Sequence, residues 1–86
     1  MITLIHAVRL CQLDDSEIVW LRPKGARRIE SSLLSVKNMK RRLNMQAVKV
    51  LHIDVDFGYD GDWNGWEVEV TGITPEELHK VSLKSI

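Results

Sequence analysis

Two hydrophobic periods divide this chain. Residues 2–12 alternate, with Leu4, His6, Val8 and Leu10 on one parity and Ile5, Ala7, Arg9 and Cys11 on the other. Both parities are mostly apolar, which predicts an interior strand. Leu13, Asp14, Asp15 and Ser16 have turn chemistry, because short polar side chains bond nearby backbone amides. Residues 17–22, with Ile18, Val19, Trp20 and Leu21, read as a second strand that Pro23, Lys24 and Gly25 end. The short connection predicts an antiparallel hairpin.

The period then changes to that of a helix. Ile29, Leu33, Val36, Met39 or Lys40, Leu43 and Ala47 recur at steps of three and four. They predict a helix from Ala26 or Ser31 to Gln46, with Ser31 or Ser32 as its cap. The alternative start leaves residues 26–30 to extend the second strand. Trp20 is assigned to the core.

Residues 48–63 alternate most regularly. Leu51, Ile53, Val55, Phe57, Tyr59 and Trp63 share one parity, and His52, Asp54, Asp56, Asp60 and Asp62 share the other. After Asn64 and Gly65 the pattern resumes, Trp66, Val68 and Val70 alternating with Glu67 and Glu69. Asn-Gly between such runs predicts a tight hairpin turn, setting Trp63 against Trp66 and Asp62 against Glu67. A looser register pairs Phe57 with Trp66 and Asp56 with Glu67. Both place the aromatic residues on one face and the carboxylates on the other, since they differ by an even step. Gly58 and Gly61 are candidate bulges. Thr74, Pro75 and Glu77 form a helix start: a cap, a first-position proline and a capping box. The helix they open is expected to end near Ser82. The order strand, strand, helix, strand, strand, helix predicts one small α+β domain over residues 1–86, an antiparallel four-stranded sheet with helices on one face.

Charge changes the picture. The chain holds twelve basic and twelve acidic side chains, but they are segregated. Residues 1–52 carry ten basic and four acidic, whereas residues 53–79 carry eight acidic and no basic. Carboxylates on neighbouring strands repel, by roughly 3 kcal/mol at about 5 Å and an effective dielectric of about 20. A cation relieves that repulsion: a partner's Lys or Arg, a metal, or the basic helix of this chain. The favoured expectation is a partner-binding surface of Asp54, Asp56, Asp60, Asp62, Trp63, Trp66, Glu67 and Glu69 that docks a basic protein. Spaced carboxylates can occupy a nucleic-acid-binding groove by imitating phosphates, as small anti-restriction and anti-CRISPR inhibitors do. The analogy is physical and no motif carries it.

Two other classes are weighed against this one. Lys37, Lys40, Arg41 and Arg42 would serve a nucleic-acid-binding accessory protein, though no nucleic-acid motif frames them and the acidic segment opposes binding. A metal-dependent enzyme would use the hairpin carboxylates. Asp56, Asp60, Gly61, Asn64 and Glu67 fall at EF-hand loop positions, but Gly58 stands where an oxygen ligand is needed and the flanks read as strands. No metal, cofactor or catalytic residue is therefore assigned: no nucleophile adjoins a base, and no phosphate loop is present. Cys11 is a lone thiol in an apolar segment, without a cysteine partner in this chain. Residues 1–5 are apolar but are followed by His6 and Arg9, which fits neither a signal peptide nor a membrane span. The expectation is a cytoplasmic, non-enzymatic binding protein.

Overall fold

The computed structural model describes residues 1–57 and 64–85, without the side chains of residues 28, 55–57, 64 and 83–85. The predicted first strand is mostly helix. Only Ile2–Thr3 (β1) is extended, and Leu4–Leu10 forms α1. Thr3 caps it, its hydroxyl accepting from the His6 amide at 3.2 Å. Leu4, Ala7 and Val8 are buried, at i, i+3 and i+4, while His6, Arg9 and Leu10 face solvent. The same residues satisfy a period of two and a period of 3.6, and burial selects the second. Gln12, with φ of 54°, turns the chain at the helix end. Its amide donates to the Arg9 carbonyl and the Leu13 amide to the Val8 carbonyl, the paired closure of a Schellman motif.

Ile18–Pro23 (β2) lies where the sequence places it. The long helix that should follow is divided. A single 3-10 turn at Arg28–Glu30 precedes Ser32–Ser35 (β3), which pairs antiparallel with β2, and only Val36–Arg42 is helical (α2). Ser35 caps α2 by accepting from the Asn38 amide at 3.2 Å, in place of Ser31 or Ser32. Ile29, assigned to the apolar stripe, is 84% exposed. Extending residues 32–35 buries Leu34 against Val19, whereas a helix there would leave β2 without a neighbour on that side.

Lys49–Phe57 (β4) and Asn64–Thr71 (β5) pair antiparallel, setting Asp54 against Glu67, Val55 against Trp66 and Phe57 against Asn64. Asn64 and Gly65 are strand residues, so the tight turn is not formed, and neither predicted register holds. The offset is again an even step, so the parity argument survives from His52 onward. Before it, a bulge between Val50 and His52 shifts the alternation, so that Val50 is buried and Leu51, predicted on the apolar parity, is exposed. Gly58, Tyr59, Asp60, Gly61, Asp62 and Trp63 lie outside the described residues. Gly72 follows β5 with φ of 94°; a Cβ there would stand 2.6 Å from the Ala47 carbonyl oxygen, so only glycine permits this approach. Pro75–Ser85 (α3) starts with the predicted capping box, Thr74 and Glu77 exchanging side-chain and backbone hydrogen bonds.

Among the described residues the sheet has five strands in the order β1-β4-β5-β2-β3, mixed instead of the predicted four-stranded antiparallel one, because β2 runs parallel to β5. The domain is α+β, with three α-helices among the described residues. Val19, Leu21, Leu34, Val50, Val68 and Val70 from the strands join Leu4, Ala7, Val8, Val36, Met39 and Leu78 from the helices in one core cluster.

Candidate functional site

The strand residues that alternate with the core make a second face, whose described side chains are half-buried or exposed. Register aligns them in rows across four strands. Leu33 of β3 lies beside Trp20 of β2, Trp20 beside Glu67 of β5, and Glu67 beside Asp54 of β4. In the next row Arg22 lies beside Glu69 and Glu69 beside His52. Asp56 holds the following position of this face, opposite Gly65. Trp20 is therefore not a core residue: its neighbours Val19 and Leu21 point to the core, and its own position points away.

Arg22 is the cation that the segregated charge pattern demands. Its guanidinium stands 3.7 Å from a Glu67 oxygen and 3.6 Å from a Glu69 oxygen. Its Nη1 also donates to the Ala26 carbonyl at 3.1 Å, which ties it to the turn after β2. At these separations each attraction is about 4.5 kcal/mol at an effective dielectric of about 20, before desolvation, against about 3 for a carboxylate pair near 5 Å. One arginine thus outweighs the repulsion between its two glutamates. Asp54 is exposed and lies beside Glu67 in register.

The remaining predicted residues separate. Trp66 is half-buried on the opposite side, against Val19 and Val55 in register, and packs on the core. The Asn-Gly turn on which the predicted aromatic tip depends is not formed. Trp66 helps line a small apolar pocket with Leu4, Ala7, Val8, Cys11, Leu13, Val19, Met39, Ile53 and Val68, where there is room for one water at most. Asp60, Asp62 and Trp63 lie outside the described residues. Lys37, Lys40, Arg41 and Arg42 are exposed on α2, and Lys40 is committed to Asp15 at 2.8 Å. Three of these cations occupy the last turn, where they complement the negative helix end.

Two carboxylates elsewhere are held below their ordinary range. The Ser16 hydroxyl, then the Ser16 amide, stabilises ionised Asp14, and the Arg27 side chain, then its amide, does the same for Glu30. Both are surface turn devices outside the rows above. Among the described residues no three His, Cys, Asp or Glu side chains gather so as to hold a metal ion. No described helix is long and apolar enough to cross a membrane.

Sequence reasoning missed Arg22, Trp20 and Leu33 as members of this surface. The signal for Arg22 was its parity, opposite to Val19 and Leu21 in an otherwise apolar strand. Its partners were not visible because they come from a strand more than forty residues away. Searches against protein-family models, curated proteins and solved structures return no match for this chain.

Proposed function

We propose that the chain is a non-enzymatic binding protein whose second sheet face docks a basic protein partner. The observation that supports this reading is that Asp54 and Glu67 are register partners, with Glu69 two residues along the same strand and face and Arg22 fixing the two glutamates in place. Carboxylates already ordered on strands lose little freedom on binding, and their field steers a cationic partner before contact. A partner that is itself a nucleic-acid-binding protein fits the same chemistry, with these carboxylates standing where phosphates would lie. The basic residues of α2 serve the competing nucleic-acid reading less well, because Lys40 is neutralised by Asp15.

The test titrates the chain with an oligo-arginine peptide and, separately, with duplex DNA at low and moderate salt. Peptide binding that weakens with salt, and that falls about tenfold in Asp54→Lys, supports the proposal. DNA binding that is lost when Lys37 and Arg41 become Glu, with no peptide binding, replaces it by the nucleic-acid reading.

A further inference from the structure

Among the described residues β3 is the last strand of the sheet, paired with β2 on one side and open on the other. The Val36 amide donates to the Glu17 carbonyl at 2.9 Å, one position beyond the Ile18–Ser35 pair. Hydrogen-bonded pairs alternate along an antiparallel ladder, so Leu34 and Ser32 also turn their backbone groups to β2. Leu33 then directs its N–H and C=O outward, and Ser35 its N–H. No described backbone group meets them. Open edges are usually blunted by charge, proline or a bulge. Residues 31–35 are Ser, Ser, Leu, Leu and Ser, and the register of 32–35 with β2 is unbroken, so all three devices are missing. The opposite edge differs. There β1 covers β4 at Lys49 and Val50, and the uncovered remainder has a bulge before His52 and acidic residues at Asp54 and Asp56.

We infer that the β3 edge is taken by the β3 edge of a second copy, in an antiparallel two-fold dimer centred on Leu33. Residues opposite each other in a ladder share a face, so a centre on one residue sets like parities together. The helices of both copies then lie on one side of a continuous sheet. Leu33 exchanges both outward hydrogen bonds with Leu33 of the second copy, their Cα atoms about 5.5 Å apart. Ser32 lies beside Leu34 of that copy and Ser31 beside its Ser35. A centre on Leu34 would instead pair Leu33 with Ser35, the cap of α2, whose carbonyl already accepts the first bond of that helix. So neutral an edge gives charge no means of choosing a foreign strand, whereas the self-pair consumes it completely. The outer edges of the dimer are then the two bulged and acidic β4 edges, so growth stops at two copies. The inference uses only this edge and does not depend on docking of a basic protein.

Sedimentation of the whole chain over a concentration series, joined to amide exchange, provides the test. The expected result is a species of twice the chain mass that dissociates on dilution. In it the Leu33 and Ser35 amides should exchange at least about tenfold more slowly than in the dilute chain. Leu33→Lys sets two cations opposite each other at the axis and should leave a monomer, folded by circular dichroism. Leu33→Pro removes an outward N–H and no bond to β2, and should do the same. Should either variant fail to fold, the other and the amide exchange of the native chain decide. Leu10→Lys, an equally drastic change at an exposed position of α1, should still dimerise. A monomer at every concentration up to about 1 mM overturns the inference. So does a dimer that persists in Leu33→Lys, is lost in Leu10→Lys, or leaves the Leu33 and Ser35 amides unprotected. Growth past two copies overturns it as well.

Discussion

On the helix side of the sheet Val19, Leu21, Leu34, Val68 and Val70 are at most 3% exposed, whereas one position along the same strands Trp20, Arg22, Glu67 and Glu69 remain partly exposed. The first set is held by burial, which is non-directional and asks only for apolar residues of suitable size. The second set is held by register, because Arg22 meets Glu67 and Glu69 only if β2 lies parallel to β5 in one alignment. A slip of one residue would exchange the two sets, exposing the valines and burying the charges. The core face therefore sets the alignment, and the charged face then depends on it.

That dependence can be broken from either side. Leu21→Ala should have the largest effect, about 3 kcal/mol from lost contact and the cavity left. For a domain of this size the fall in Tm is roughly 12–25 °C. Arg22→Met should cost less, about 1–2 kcal/mol, since it strands two half-solvated glutamates without opening a cavity. Adding Glu67→Gln and Glu69→Gln to that variant should return most of the loss. Thermal melts of the three chains check the order. If Arg22→Met matched Leu21→Ala, the second face would be part of the core by another route.

Smaller changes sharpen the contrast. Thr74→Ala removes the cap of α3 and should cost about 1 kcal/mol. Amide exchange should quicken around Leu78, on the helix side, with the amides of Arg22 and Glu67 unaltered. Spread of the effect to those residues would show the two faces coupled.

The smallest effect is in acid. Asp14 and Glu30 are held below the ordinary carboxylate range, by Ser16 and Arg27. A depressed carboxylate stabilises the fold above its unfolded value and loses that contribution as pH falls through the folded one. A melt series from about pH 5 to about pH 2 should show Tm falling, and Asp14→Asn with Glu30→Gln should flatten part of the fall. An unchanged fall would overturn this assignment of the acid sensitivity to Asp14 and Glu30.

The readable elements were those whose signals are local and mutually consistent. Thr74, Pro75 and Glu77 lie within four residues and specify one helix start, and their capping hydrogen bonds form as expected. The alternation of 52–57 and 66–70 likewise survives a wrong register, whereas the bulge between Val50 and His52 puts Leu51 out of the apolar row. Residues 4–10 and 32–35 were misread because each short run fits two periods. A seven-residue helix and a four-residue strand bury only a few side chains each, so local pattern leaves them nearly balanced. Asn64 and Gly65 carry the strongest turn signal in the chain and are nonetheless strand, since pairing Val55 with Trp66 and Asp54 with Glu67 carries the ladder past them.

Sequence by itself determined that the acidic residues of 52–57 and 66–70 share a parity, that apolar residues occupy the other, and that Thr74 opens the last helix. Those properties depend on the geometry of one strand or one turn. Only the tertiary structure decided that β2 lies against β5, and with it that Arg22 sits between Glu67 and Glu69 and that Trp20 and Leu33 border the carboxylates. A parallel pairing joins strands far apart in the chain, through a crossover whose own elements must first fold. Its alignment is set by which valines and leucines pack together beneath the sheet, and nothing local to Arg22 records that outcome.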